Sequence, residues 1–217
     1  MKVEVFLRAL GIIENIINDL SPPIFELDKV RGKDPFRILI STVLSLRTRD
    51  QVTMDVSKKL FSLAKTPENI LSLGIERIED IIKPVGFYKN KAKVIIGICI
   101  ILIERYNSIV PDCIDELLKI DGIGRKTATL VMIEAFNKDY ICVDTHVHRI
   151  SNRLGVVKTK KTYETEKMLM DIVPKEFWKK INKLLVGFGQ TLCGPIPKCF
   201  KCPIVSICEY NSKRIVF

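Results

Sequence analysis

Apolar residues recur at intervals of three and four along most of this chain, and few segments alternate with period two. That periodicity turns one face of a helix toward a core, so the pattern predicts an all-α fold. The first amphipathic segment covers residues 4–19 and ends at Ser21-Pro22-Pro23. Asp34-Pro35 has the form of an N-cap followed by proline at the first helical position, and it opens a helix to about Leu46. Further helices are predicted near 50–64, 68–73, 75–82, 89–106, 112–119 and 125–136. Asp144 caps a helix reaching about Leu154, two more follow near 162–172 and 176–190, and the tail from Leu192 reads as a loop held by cysteines. The apolar run Val94–Ile103 is ten residues long, too short to span a bilayer and suited to a buried helix.

Charge narrows the picture. The formal net charge is +10 over 217 residues, which suits a polyanionic partner, nucleic acid before membrane surface. The N-terminus mixes Lys2, Glu4 and Arg8 with apolar residues and has no signal-peptide core, so an intracellular location, cytoplasmic or nucleoid-associated, is expected. Seven cysteines in that setting argue for metal ligation or buried thiols rather than disulfides.

The richest stretch is Leu117-Leu118-Lys119-Ile120-Asp121-Gly122-Ile123-Gly124-Arg125-Lys126-Thr127-Ala128. Gly122 and Gly124 permit a tight turn, and an apolar helix begins directly behind them. Backbone N–H groups at a helix start, together with the helix dipole, favour an anion, so Gly122, Ile123 and Gly124 are candidate phosphate contacts. Lys126 lies in the first helical turn. Alone it would be an ordinary surface lysine. Eighteen positions later comes Asp144, in Val143-Asp144-Thr145-His146. A lysine amine beside a DNA-phosphate anchor, with a carboxylate in reach, is what attack on a sugar carbon requires. Asp144 can cap the helix beginning at Thr145 and still stabilise a cationic sugar. His146 and His148 are two apart and point to different helix faces, so they read as packing or hydrogen-bonding residues, with His146 the nearer to the candidate site.

The tail spaces its cysteines as Cys193-x5-Cys199-x2-Cys202-x5-Cys208. Four thiolates this close can wrap one compact centre. A [4Fe–4S] cluster fits the pattern best, and zinc is the chief alternative. Lys198 and Lys201, among the ligands, are either phosphate contacts or ordinary solvated lysines. Cys99, Cys113 and Cys142 have no partner spacing and read as buried inert thiols.

Residues 117–128 and 143–150, with Ser-Leu-Arg-Thr-Arg-Asp-Gln-Val-Thr (45–53) and Val-Gly-Phe-Gly-Gln (186–190) before the cysteines, resemble the endonuclease III family of helix-hairpin-helix glycosylases over nearly the whole chain. The resemblance implies two helical lobes: residues 25–140 as a six-helix lobe carrying the hairpin (about 112–136), and 1–24 with 141–217 as a second lobe ending in a cluster loop at 193–208. It implies Lys126 and Asp144 facing each other across a cleft, as nucleophile and carboxylate of a bifunctional glycosylase and abasic-site lyase. The implied enzyme is a monomer that excises oxidised pyrimidines from double-stranded DNA. It also assigns Arg47, where the family commonly has glutamine, to the gap left by an extruded base, and Phe87 to an apolar wedge between base steps. Asp121 stands where the family often has proline, and the first cysteine spacing is five residues where six is usual. Two other readings remain: a mismatch-, uracil- or thymine-directed glycosylase of the same superfamily, whose purely hydrolytic members generally lack the lysine, and a non-catalytic DNA-binding module.

Overall fold

The computed structural model describes residues 2–212 and contains, among them, α-helices and short 3-10 turns but no strand. In chain order the helices are α1 (Lys2–Ile16), α2 (Pro23–Arg31), α3 (Pro35–Ser45), α4 (Asp50–Leu63), α5 (Pro67–Ile82), α6 (Tyr88–Tyr106), α7 (Ile114–Leu118), α8 (Arg125–Phe136), α9 (Thr145–Arg153), α10 (Thr162–Ile172), α11 (Trp178–Thr191) and α12 (Glu209–Ser212). The all-α expectation therefore holds. Two compact units form: Met1–Phe25 with Asp139–Phe217, and Glu26–Lys138.

The continuous unit is built around α3. Phe36 and every residue from Ile38 to Leu44 are buried, which suits a helix apolar on all faces, and α4, α6 and α8 pack against it. Its start is as the sequence predicts: Asp34 Oδ1 accepts from the Arg37 N–H at 2.9 Å, with Pro35 at the first position, where its missing N–H costs nothing. α5 is broken at Gly74, whose φ of 72° and ψ of 160° are not helical, so the two predicted segments there are real. The run Val94–Ile103 lies inside α6, with Ile95, Ile98, Cys99 and Leu102 buried. No helix among the described residues is long and apolar enough to cross a membrane.

The discontinuous unit packs Phe6, Leu10 and Ile13 of α1 against Val147 and Ile150 of α9 and Ile181, Leu185 and Phe188 of α11. The glycines of Val186-Gly187-Phe188-Gly189 have a structural cause. A Cβ on Gly187 would come within 3.0 Å of Pro22 Cγ, and one on Gly189 within 2.2 Å of His146 Nδ1. α11 approaches its neighbours so closely only because those side chains are absent.

Three expectations need correction. α2 was not foreseen, because Pro22-Pro23 reads as a breaker and the helix buries little beyond Leu27 and Arg31; Pro23 instead occupies the first helical position, which tolerates it. The tail is not only loop but closes with α12. Cys113 is exposed at the N-cap position of α7, while Cys99 and Cys142 are buried. The cap position lies before the first turn of a short surface helix, so it has no core to enter.

Candidate DNA-repair site

The hairpin is a chain of short turns. Ile120 N–H donates to Leu117 O at 3.1 Å and Ile123 N–H to Ile120 O at 3.0 Å. Leu117, Ile120 and Ile123 turn their side chains inward, at no more than 5% exposure, so Ile123 can offer a ligand only its main chain. Gly122 is required twice over. Its φ of 87° is left-handed, and a Cβ there would lie 2.5 Å from Val94 Cγ1. Gly124 differs: φ is −85°, and a Cβ would meet nothing within 4 Å. No neighbouring atom therefore demands glycine there, and the backbone at this N-cap is left uncovered. Gly124 is the N-cap of α8, and no side chain caps that helix. Arg125 and Lys126 are exposed in its first turn, whereas Thr127 and Ala128 are buried.

α9 begins differently. Asp144, 9% exposed, places Oδ1 2.8 Å from the His146 N and 2.9 Å from the Val147 N, capping the helix as expected. Both capping bonds fall on Oδ1, so Oδ2 takes no part in them. His146 Nδ1 lies 2.9 Å from Arg149 Nη2, and His148 Nδ1 lies 2.7 Å from Thr165 Oγ1. The two imidazoles thus serve different networks, as their spacing suggests.

Cys193, Cys199, Cys202 and Cys208 line one pocket with Ile150, Leu154, Phe188 and Ile204. No disulfide joins them. Burial, with lesser contributions from the three neighbouring cysteines, pushes the Cys202 thiol up to about 11. A thiol in an apolar pocket is held as a thiolate only beside a cationic centre. Arginines from α9 brace the first of these cysteines: Arg153 Nη1 lies 3.3 Å from Cys193 Sγ, and Arg149 Nη2 donates to Cys193 O at 2.9 Å. No sequence signal marked those two arginines as supports of the cysteine loop. No three of the described histidine, cysteine, aspartate or glutamate side chains meet at single-ion spacing.

Arg47 and Phe87, distant in sequence, come together. Both are exposed, both have left-handed backbones (φ of 54° and 58°), and the Arg47 guanidinium lies 5.6 Å from the centre of the Phe87 ring. Behind them Lys91 is 6% exposed and donates to Leu44 O, Leu46 O and Thr48 Oγ1. Desolvation lowers its ammonium to about 8. A depressed amine invites assignment as the nucleophile, but Lys91 is buried and its protons are spent on three acceptors. Lys126, by contrast, is exposed. The sequence did carry a signal for Lys91: it shares the buried stripe of α6 with Ile95, Ile98 and Leu102, where a lysine must find partners.

The model of the HhH-GPD superfamily of base excision DNA repair proteins matches residues 40–175. Endonuclease III of Thermotoga maritima is 48% identical over 182 residues, which cover 83% of this chain and 85% of that protein. The solved structure of a trapped covalent intermediate of endonuclease III with DNA superposes with a TM-score of 0.87 at 36% identity, covering 99% of this chain and 98% of that one. A thermostable thymine-DNA glycosylase superposes with a TM-score of 0.84 at 27% identity, covering 98% and 97%.

Proposed function

The chain belongs to the HhH-GPD superfamily of base excision DNA repair proteins, and from that premise we propose that it works as an endonuclease III: a bifunctional DNA glycosylase and abasic-site lyase that excises oxidised pyrimidines from duplex DNA. The observation that carries this reading is an exposed lysine, Lys126, in the first turn of a helix whose N-terminus has no side-chain cap. Main-chain groups of the hairpin from Gly122 through Gly124 grip a phosphate of the damaged strand, with the Ile123 N–H holding the turn through Ile120 O, and the net charge of +10 tracks the rest of the backbone. The damaged nucleotide leaves the stack, which costs least where the lesion has lost planarity. Arg47 and Phe87 enter the space left behind.

Lys126 Nζ then attacks C1′. The glycosidic bond breaks, and the base departs with the bonding pair and takes up a proton. The amine gives up its protons, the ring oxygen takes one as the sugar opens, and an imine joins Nζ to C1′. Loss of a proton from C2′ expels the 3′ oxygen, which cuts the strand 3′ to the site. Asp144 stabilises the positive charge that develops on the sugar and shuttles protons, with Oδ2 outside the capping bonds. Four cysteines about one apolar pocket, spaced x5-x2-x5 rather than as two separated Cys-x2-Cys knuckles, support a [4Fe–4S] centre in preference to zinc. Such a centre, when bound, would staple the loop that follows α11.

A panel of duplexes with single defined lesions tests the substrate. Thymine glycol should be released and the strand cut. Release of 8-oxoguanine or of mismatched thymine, without thymine glycol, would overturn the substrate assignment and favour the likeness to the thymine-DNA glycosylase. Metal analysis of the protein purified anaerobically should give iron; about one zinc per chain with no iron would overturn the cluster.

A further inference from the structure

Arg47 and Phe87 each sit on a turn, and the two turns touch. Thr48 Oγ1 accepts from the Gly86 N–H at 3.2 Å. A Cβ on Gly86 would lie 2.9 Å from Arg47 O, so residue 86 must be glycine for the backbones to meet. The Lys91 ammonium, one turn into α6, reaches the other side of the contact and bonds Leu44 O near the end of α3 at 2.8 Å, Leu46 O at its C-cap, and Thr48 Oγ1 at 3.0 Å. Lys91 N–H also bonds Phe87 O at 3.0 Å. A single residue therefore holds the backbone on both sides: the segment before and after Arg47 through its side chain, and Phe87 through its main chain. Left-handed backbones at two non-glycine residues cost energy and persist only when the surroundings fix them.

We propose that Lys91 is a positioning residue that presets Arg47 and Phe87 as one two-pronged wedge, so that the duplex meets a shaped tool rather than two mobile side chains. This rests on the reading that Arg47 and Phe87 enter the duplex. Preorganisation reduces the ordering that DNA binding must otherwise supply. It matters where a base has to be extruded and much less at a site that has already lost its base.

The test compares two reactions on the same duplex sequence: release of thymine glycol, and borohydride trapping at a preformed abasic site. A second probe, 2-aminopurine opposite the lesion, brightens when it unstacks. Lys91→Met should lower kcat/KM for base release by roughly tenfold to a hundredfold, as a small misplacement does, and should blunt the 2-aminopurine response. Abasic-site trapping should stay within about threefold. Added to Arg47→Ala with Phe87→Ala, Lys91→Met should cost nothing more, because it acts through those residues. Gly86→Ala leaves the ammonium in place but parts the two turns. It should reproduce the same split and serves if Lys91→Met fails to fold. Equal losses of base release and trapping, or a further loss in the triple variant, would overturn the role. So would unchanged base release in folded Lys91→Met while the Arg47→Ala with Phe87→Ala variant is impaired. Should that double variant itself release base normally, the wedge reading falls with it, which is a distinguishable result.

Discussion

Two helices, α8 and α9, begin in opposite ways. α9 is closed at its N-terminus by Asp144, whose Oδ1 takes two backbone N–H groups. α8 begins at Gly124, with no side chain to cap it and open space where one could stand. The positive end of a helix attracts an anion either way. In α9 that anion is the chain's own carboxylate, fixed and nearly buried. In α8 it is left to come from outside, as a phosphate does. In the proposed function the two N-termini divide the work: one orients a catalytic charge, and the other binds the substrate backbone with the proposed nucleophile, Lys126, two residues behind Gly124.

The sharpest break in this comparison is at Lys126. Lys126→Gln keeps the helix start and should leave DNA affinity within about threefold. Strand cleavage and covalent trapping should fall by about a thousandfold or more, read on an abasic duplex, since no amine remains to form the imine. Residual cleavage near the wild-type rate would remove Lys126 from the mechanism.

Asp144→Asn separates charge from capping, since asparagine caps about as well as aspartate. Base release should slow by roughly a hundredfold or more, with the melting temperature nearly unchanged and cleavage at a preformed abasic site largely kept. Asp144→Ala removes both functions and should also cost about 1 kcal/mol of stability. If Asp144→Asn melts as Asp144→Ala does, the residue acts mainly through the fold.

Gly124→Asp would close α8 the way α9 is closed. The backbone and the open space allow it, so the protein should fold normally. Affinity for duplex DNA should drop about tenfold, and the slope of log K against log[salt] should be shallower by about one. Unaltered affinity would mean that the hairpin is not a phosphate site. The smallest effect is expected at Cys113, the unused cap of α7. Cys113→Ser supplies a capping oxygen and should raise the melting temperature by about 1–3 °C with no change in activity.

Periodicity was enough to read the helices that bury one face, such as α4 and α6. It failed for α2, where only Leu27 and Arg31 turn inward and proline stands at the start. Asp34 and Asp144 were legible because capping is local chemistry. Gly122 and Gly124 were legible as a pair but not as different cases: only the structure separates a glycine forced by φ and Val94 from one left open. Contacts distant in sequence were invisible. Nothing in residues 45–49 announces that Arg47 stacks on Phe87, and nothing in α9 announces that Arg153 reaches Cys193.

The most direct measurement of the central claim is the position of the covalent link. The wild-type protein, reacted with an abasic duplex and reduced with borohydride, should be digested and its DNA-bearing peptide sequenced by mass spectrometry. The adduct should sit on Lys126. An adduct on Lys91, the buried amine with the lowered pKa, on any other lysine, or on none while the strand is cut, would contradict the account.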